Sequence, residues 1–192
     1  VESLGKGSYG IVDKVAYDRG AGDPAIYARK TFQNAGRPHV YRMIQDEIGL
    51  IKRLRHSHVV SIIATYSIGT KFAIIMTPVA DMDLKKFLTT SGSKDDMRHW
   101  FGCLAAGLAY LHSESIRHRD IKPANILIKG QHVLYTDFGI AKDVSQDSTT
   151  SSTGPVEAKT YLYCAPEVAA ERPRGRSSDV FSLGCVFLEM VT

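Results

Sequence analysis

The N-terminal part of the chain alternates apolar and polar residues with a period of two. Apolar side chains then recur every three or four residues over 39–55, which predicts one helix. The alternation predicts β-strands on both sides of that helix, over residues 4–16, 25–32, 59–66 and 72–77. This part of the chain is therefore expected to form a small sheet with a single helix.

The C-terminal part of the chain is dominated by helical periodicity. A brief helix is predicted to end near Leu88, an apolar stripe over 97–111 predicts a long helix, and 179–191 predicts another. Short apolar segments at 126–128, 133–135 and 138–140 alternate with charged turns. Strands followed by helices indicate the α+β class, with a boundary near residues 78–83.

Composition and charge narrow the range of partners. The chain has 24 basic and 20 acidic residues and no dense basic cluster, which argues against a nucleic-acid partner. The longest apolar runs are far too short to span a bilayer, and the first residues do not resemble a signal peptide. Cys103, Cys164 and Cys185 lack metal-ligand spacing, so we expect a reducing intracellular location, in the cytoplasm or the nucleus.

A glycine-rich segment opens the chain. Gly5, Gly7 and Gly10 form a GxGxxG pattern, in which backbone N–H groups can approach phosphate oxygens closely. The same pattern marks dinucleotide-binding folds, but those require a helix directly after the glycines, and a strand pattern follows here. Lys30 lies on the next predicted strand and Glu47 on the helix. These two residues form either an ion pair beside a phosphate or two solvated surface charges.

The segment His118–Asn125 places an aspartate, a lysine and an asparagine in one loop. Phosphoryl transfer requires a group that orients the acceptor hydroxyl, a cation near the migrating phosphoryl group, and oxygen ligands for Mg²⁺. Asp120, Lys122 and Asn125 could meet these three needs. Asp137 begins an Asp-Phe-Gly triplet 17 residues after Asp120 and could supply a second metal ligand.

These ordered motifs resemble those of eukaryotic-type protein kinases of the serine/threonine class. Ala165-Pro166-Glu167 matches the end of an activation segment, and Asp179–Gly184 is similar to the start of a long helix in that family. The resemblance implies one kinase domain over 1–192 with a two-lobed α+β fold, a β-rich N-lobe at 1–79 and a mainly helical, partial C-lobe at 80–192. It also implies ATP and Mg²⁺ as cofactors and a protein substrate.

The resemblance further implies a role for each site residue. Asp120 would be the catalytic base, Lys122 would steady the transferring phosphoryl group, and Asn125 and Asp137 would bind Mg²⁺. Thr160 would hydrogen-bond the catalytic aspartate and lysine, as in serine/threonine kinases. The residues implied to surround ATP are Gly5, Gly7, Gly10, Val12, Ala28, Lys30, Glu47, Met76 (as gatekeeper), Thr77, Val79 and Leu127.

Regulation is expected around the hydroxyl-rich run 145–153. Arg119 precedes the catalytic aspartate, as in kinases whose activation loop is ordered by phosphorylation. Thr153 or a nearby serine would receive the phosphate from an upstream kinase, or Glu157 would supply a standing negative charge; alternatively, the run is only a flexible linker. The resemblance also places Phe138 in a stack with Ile51, Ile62 and His118 that aligns in the active state.

Other interpretations of the sequence remain open. The main alternative is a pseudokinase, a binding or scaffolding domain with the fold but not the reaction, and a small-molecule phosphotransferase is another. The sequence does not specify the oligomeric state. The resemblance also suggests that the domain is truncated at both ends, which would leave the apolar side of the last helix, at Val180, Leu183, Val186 and Phe187, without cover. We would then expect low stability in isolation.

Overall fold

The computed structural model divides the chain into two compact units. The first contains the described residues up to Arg55 together with Val60–Val79, and the second contains His56–Val59 together with the described residues from Ala80 onward. The residues that the structure describes are 2–7, 10–18, 20, 22–32, 48–49, 51–69, 71–90, 97–137, 162–170 and 175–192.

The first unit contains a five-stranded antiparallel sheet. Its strand order is β1-β2-β3-β5-β4, so β1 and β4 form the edges. The strands confirm the alternation in the sequence, with bounds that differ from the prediction by a few residues. They are β1 (Glu2–Gly7), β2 (Gly10–Tyr17), β3 (Ala25–Phe32), β4 (Ser61–Ile68) and β5 (Lys71–Thr77).

Glycines with positive φ make the tight connections of this sheet possible. Gly69, with φ of 58°, lies between β4 and β5, where Ile68 pairs with Lys71. An L residue with a side chain rarely adopts this left-handed conformation, so the short hairpin depends on glycine. Between β2 and β3, Gly20 has φ of 77° and its N–H donates to the Asp18 carboxylate at 2.8 Å.

The helix that precedes β4 ends earlier than predicted. Ile48 and Ile51 are helical and buried, which confirms the apolar stripe there, but helical structure stops at Ile51 rather than at residue 55. The Leu54 N–H bonds the Ile51 carbonyl, a tighter spacing that closes the last turn. Arg55 then donates to the Lys52 and Leu54 carbonyls and satisfies the helix end. The predicted part of the helix over 39–47 lies outside the described residues.

The second unit is mainly helical, as the sequence predicted, and this order of sheet and helices confirms the α+β class. It also contains a short sheet in the order β6-β7-β8, whose two-residue first strand the sequence pattern did not reveal. The strands are β6 (Met82–Asp83), β7 (Ile126–Lys129) and β8 (His132–Tyr135). The helices are α1 (Leu84–Thr89), α2 (Arg98–Ser113), the 3-10 turn Pro123–Asn125, α3 (Pro166–Ala169) and α4 (Arg176–Val191).

The core of the second unit is built on the apolar stripe of α2. Trp100, Leu104, Leu108 and Leu111 are buried. The Trp100 indole donates to the Gln131 carbonyl in the β7–β8 turn at 2.9 Å. The buried Tyr135 hydroxyl of β8 donates to the Leu104 carbonyl of α2 at 3.0 Å. Helix and sheet are thus joined by apolar packing and by hydrogen bonds from the two aromatic residues.

Helix α4 corrects two expectations. It begins at Arg176 rather than 179, and the Ser178 hydroxyl donates to the Gly175 carbonyl at the start of the helix. The side predicted to lack cover is mostly covered. Leu183 and Val186 are buried, and the Phe187 ring lies 4.7 Å from the Phe101 ring of α2. Of the four residues named for that side, Val180 alone is mainly exposed, at 58%.

The structure also reports on membrane insertion. In the described ranges, none of the helices combines the length and the apolar character that a membrane crossing requires.

Candidate active site

The loop between α2 and β7 gathers three of the predicted catalytic and metal-binding residues. Asp120 is 9% exposed, and its Oδ2 atom lies 3.0 Å from Lys122 Nζ. The Asn125 side-chain amide Nδ2 donates to the same oxygen at 2.9 Å and to the Asp120 carbonyl at 2.8 Å. The structure therefore brings a carboxylate, an ammonium group and an amide into direct contact, which residue spacing alone could not show.

A buried carboxylate on α4 holds this loop in place. Asp179 is 2% exposed and accepts hydrogen bonds from the backbone N–H groups of His118, at 2.9 Å, and Arg119, at 2.8 Å. It also lies 2.9 Å from His112 Nε2 on α2. Arg119 has φ of 67°, a conformation that is unfavourable for a residue with a side chain. The two N–H bonds stabilise that backbone conformation directly before Asp120.

The sequence did not reveal this anchoring role. Asp179 was noted only as part of a motif, and His112 was not singled out at all. The available signal was an aspartate at the start of an apolar helix, which by itself is a common helix N-terminal residue. Its actual partners are 60 and 61 residues away in the chain, so local sequence rules cannot identify them.

His118 is a packed residue of this loop. It is fully buried, and its ring lies 5.5 Å from that of Tyr135. Burial lowers the pKa of His118, although the negative charges of Asp179, Asp120 and Asp137 act in the opposite direction. The imidazole is therefore neutral at physiological pH and packs against an aromatic ring, which is the environment of a structural histidine.

The two predicted metal ligands lie on neighbouring segments of backbone. The Thr136 N–H donates to the Asn125 carbonyl at 3.1 Å, and Asp137 follows directly. Asp137 has φ of 58°, a second unusual backbone conformation in the site. Phe138, the next residue of the triplet, lies outside the described residues.

The chemistry of this ligand pair suits Mg²⁺. Both side-chain donor bonds of Asn125 go to Asp120, which leaves the amide oxygen as an available ligand atom. A carboxylate and an amide oxygen are hard ligands, and Mg²⁺ usually takes only one or two protein groups, with water and phosphate oxygens completing its shell. Among the described residues, no group of three or more His, Cys, Asp or Glu lies close enough together to hold a metal ion.

In the first unit, strand register places four predicted ATP-binding residues on one face of the sheet. Val12 pairs with Lys30, and Ala28 pairs with both Lys14 and Met76. Side chains of directly paired residues point to the same side, and residues two apart on a strand share a face. Val12, Ala28, Lys30 and Met76 therefore lie on the same face. Lys30 is only 8% exposed, and its ammonium lies 5.3 Å from the centre of the Phe32 ring.

Gly10 has a steric reason to be glycine. A Cβ built at this position would lie 2.2 Å from the Thr31 carbonyl oxygen on β3. Gly5, by contrast, has nothing within 4 Å of the equivalent point. The third glycine of the segment thus permits close pairing of β2 with β3, whereas no such contact restricts the first.

The remaining predicted residues fall into two groups. Gly7 ends β1, Thr77 ends β5, Val79 is half-buried shortly after β5, and Leu127 is half-buried on β7 in the second unit. The predicted site and regulatory residues outside the described residues are Glu47, Phe138, Thr153, Glu157 and Thr160. The predicted pairing of Lys30 with Glu47 therefore stays a prediction.

The segment around Ala165-Pro166-Glu167 is fastened to α4. The Ser182 hydroxyl donates to the Tyr163 carbonyl at 2.6 Å, and the Tyr163 hydroxyl donates to the Glu189 carboxylate. Burial, with this hydrogen bond, raises the pKa of Tyr163. Glu167 lies in the first turn of α3, where its negative charge suits the helix dipole.

Comparisons with known proteins identify the family of this chain. The family described as "Protein kinase domain" matches residues 1–192. "Serine/threonine-protein kinase fused" of Drosophila melanogaster is 34% identical over 97% of this chain and 23% of its own length. "Serine/threonine-protein kinase 36" of Pongo abelii is 33% identical over 99% of this chain and 14% of its own. For "Serine/threonine-protein kinase cds1" of Schizosaccharomyces pombe the identity is 32%, over 100% of this chain and 44% of that protein.

The chain spans less than half the length of each of these relatives. The alignments with these relatives cover 97–100% of this chain, and the family match extends from residue 1 to residue 192. The relatives carry the name of serine/threonine kinases, in agreement with the acceptor class that the motifs resemble. This chain belongs to the protein kinase domain family.

Proposed function

We propose that this chain transfers the γ-phosphoryl group of ATP, with Mg²⁺, to serine or threonine hydroxyls of protein substrates. The observation that carries the proposal is the contact of the Asp120 carboxylate with both Lys122 and Asn125. A lone buried carboxylate would be unfavourable, whereas this one lies beside a cation and an amide in a rigid loop. Such a preorganised arrangement of charges is what phosphoryl transfer requires of a protein.

In this proposal Asp120 accepts a hydrogen bond from the acceptor hydroxyl and orients its oxygen for attack. Lys122 places a positive charge where negative charge develops on the transferring group. The bond from Lys122 to Asp120 also restricts the lysine side chain in the absence of substrate. Thr160 would add a hydrogen bond to this pair.

The metal ligands would be the Asn125 amide oxygen and the Asp137 carboxylate. When bound, Mg²⁺ neutralises charge on the phosphates and orients them. The bond between the Thr136 N–H and the Asn125 carbonyl fixes the spacing of the two ligand-bearing segments. Fixed spacing suits an ion that demands near-octahedral geometry.

The nucleotide would be held mainly by the first unit. Lys30, paired with Glu47, would bind the α- and β-phosphates, and the backbone at Gly5, Gly7 and Gly10 would cover them. Val12 and Ala28, which share the sheet face of Lys30, would contact the adenine ring together with Leu127. Met76 would act as gatekeeper, and the backbone of Thr77 and Val79 would bond the adenine edge.

Regulation is part of the same proposal. Phosphorylation of Thr153 by an upstream kinase, or the charge of Glu157, would order the activation segment through Arg119. The Arg119 backbone is already fixed by Asp179, so its side chain starts from a defined position. Phe138 would complete the stack with Ile51, Ile62 and His118. A cytoplasmic or nuclear location fits these roles.

The test is Mg-ATP turnover on a generic basic protein, measured for the wild type and for Asp120→Asn. We expect loss of at least about 10³-fold in kcat for the variant, because the hydroxyl loses its orienting carboxylate. Asp81→Asn is the matched control, since Asp81 is an exposed carboxylate of the same unit whose partners are Lys129 and Gly130. Mg-ATP binding without any turnover in the wild type would support the pseudokinase alternative instead.

A further inference from the structure

The turn at residues 56–59 (hereafter the 56–59 turn) contains two histidines with opposite hydrogen-bonding roles. The backbone N–H of His58 donates to Nδ1 of His56 at 3.1 Å, so that nitrogen carries no hydrogen. Nδ1 of His58 lies 3.0 Å from the Val133 carbonyl, which can only accept, so that nitrogen carries a hydrogen. A proton added to Nδ1 of His56 therefore removes the hydrogen bond from the His58 N–H.

The same turn is the support for one end of β8. The Tyr135 N–H donates to the His58 carbonyl at 2.9 Å, and Val59 forms a parallel bridge with Tyr135. A Cβ built on Gly107 of α2 would lie 3.1 Å from both the His58 Cβ and the Tyr135 ring. The 56–59 turn, α2 and β8 thus pack without spare space, and a change in the turn is transmitted to β8.

The surroundings of His56 disfavour its charged form. Its ring stacks on that of Tyr110 at 4.7 Å and lies 5.5 Å from that of His58. Partial burial and the neighbouring His58 lower the pKa of His56. Besides Tyr110, the titratable or charged side chains on the two elements packed on the turn are Arg98, His99, Cys103 and His112 of α2 and His132 and Tyr135 of β8. Arg55, which precedes the turn in the chain, donates to the Lys52 and Leu54 carbonyls.

We propose that the 56–59 turn is a proton-responsive support for β8. A proton on Nδ1 of His56 removes the bond from the His58 N–H and leaves the backbone bond from the Val59 N–H to the His56 carbonyl, at 3.2 Å, to close the turn. The bond from Tyr135 to the His58 carbonyl then opens more often. Since Asp137 follows Tyr135 by two residues, acidification would loosen the segment that carries a proposed metal ligand. The effect on activity rests on the proposed function, whereas the effect on β8 does not.

The direct test is hydrogen exchange of the Tyr135 amide, followed at pH 7.5 and pH 5.5. In the wild type the protection factor is expected to fall by about three- to tenfold, the equivalent of one hydrogen bond. In His56→Asn it should not fall, because the asparagine oxygen can accept from the His58 N–H and does not titrate. His58→Asn, whose amide can still donate to Val133, is the matched control and should retain the fall.

Each contrary result is informative. A protection factor in the wild type that stays constant, relative to the Val186 amide of α4, overturns the proposal even if His56→Asn fails to fold. An equal fall in His56→Asn assigns the effect to another group and also overturns it. The pH profile of kcat/KM, measured in parallel, separates the two proposals. A protein with the expected exchange behaviour but no turnover would refute the proposed function and leave this inference intact.

Discussion

The sheet of the first unit and the loop between α2 and β7 in the second, the proposed catalytic loop, position the side chains of the proposed site by different means. In the sheet, Val12, Ala28 and Lys30 share a face because regular pairing fixes the direction of every side chain. In the loop, Asp120 follows a residue with φ of 67°, and the loop backbone is bonded to Asp179 on a distant helix. Regular secondary structure positions the first set, and a buried carboxylate positions the second.

This difference determines which substitutions each region tolerates. A sheet distributes its stability over many equivalent bonds, so losing one polar contact changes little. The catalytic loop concentrates its support in a few bonds to one buried group. Substitutions that remove that support, or that prevent strand pairing, should therefore have the largest effects.

The largest effect is expected for Asp179→Ala. Two backbone N–H groups and His112 lose their acceptor in a buried site, which should lower the free energy of unfolding by about 3–5 kcal/mol. Displacement of Asp120 should reduce kcat by at least about 10²-fold. Denaturant unfolding and turnover assays measure the two effects. Asp179→Asn, which keeps one acceptor oxygen, should lie between wild type and Asp179→Ala; equal loss in both variants would contradict the hydrogen-bond explanation.

Gly10→Ala should have the next largest effect and tests the sheet. The added Cβ would meet the Thr31 carbonyl at 2.2 Å, and backbone of a paired strand cannot move aside as a flexible side chain can. We expect a loss of about 2–3 kcal/mol in the free energy of unfolding. Gly5→Ala is the matched control and should change stability by less than about 0.5 kcal/mol. Similar losses in both variants would show that strand pairing at Gly10 is not the restriction.

The same contrast explains how much could be predicted from the sequence. Strand periodicity predicted four strand segments, of which the first, 4–16, forms two strands of the five-stranded sheet. Strand pairing then placed Val12, Ala28 and Met76 on one face. The two-residue strand β6 was missed because alternation cannot be recognised in a segment this short.

In the loop, the residue types were predictable and their support was not. Asp120, Lys122 and Asn125 were chosen for their chemistry, and the structure shows them in contact. The loop is anchored by the side chain of Asp179, which is 60 and 61 residues from the two backbone N–H groups that it accepts from, and no local pattern encodes this contact. The early end of the helix at Ile51 has a local origin, which apolar periodicity does not register. The apolar stripe continues to Leu54, but hydrogen bonds from Arg55 and Leu54 close the helix before it.

Acidification is expected to lower the free energy of unfolding by an intermediate amount, because His118 is buried. Its pKa is lowered on folding, so the unfolded chain binds more protons below the ordinary histidine pKa of about 6.5. This contribution to stability is complete above that pH and is lost as the pH falls below it. For one proton, the free energy of unfolding cannot change by more than about 1.4 kcal/mol per pH unit.

His118→Phe should weaken the pH dependence of the free energy of unfolding, because phenylalanine can pack against Tyr135 without titrating. The remaining slope would come from groups such as His56, whose pKa is also lowered. Thermal unfolding between pH 7.5 and pH 5 measures the difference. Substitution of the exposed His132 by glutamine should leave the wild-type slope unchanged, and a flattened slope in that control would show that burial is not the cause.

The smallest effect is expected for Asp13→Asn, which also alters a carboxylate. Asp13 on β2 accepts from the Arg29 guanidinium of β3 at 2.9 Å, and the Arg29 side chain is 29% exposed. Water and the Tyr66 hydroxyl oxygen, at 3.4 Å, can still accept hydrogen bonds from the guanidinium. We therefore expect the free energy of unfolding to fall by at most about 1 kcal/mol. Asp179 differs because two of its donors are backbone N–H groups, which cannot turn to another acceptor. A loss in Asp13→Asn as large as in Asp179→Ala would show that charge, rather than the immobility of the bonded donors, decides the outcome.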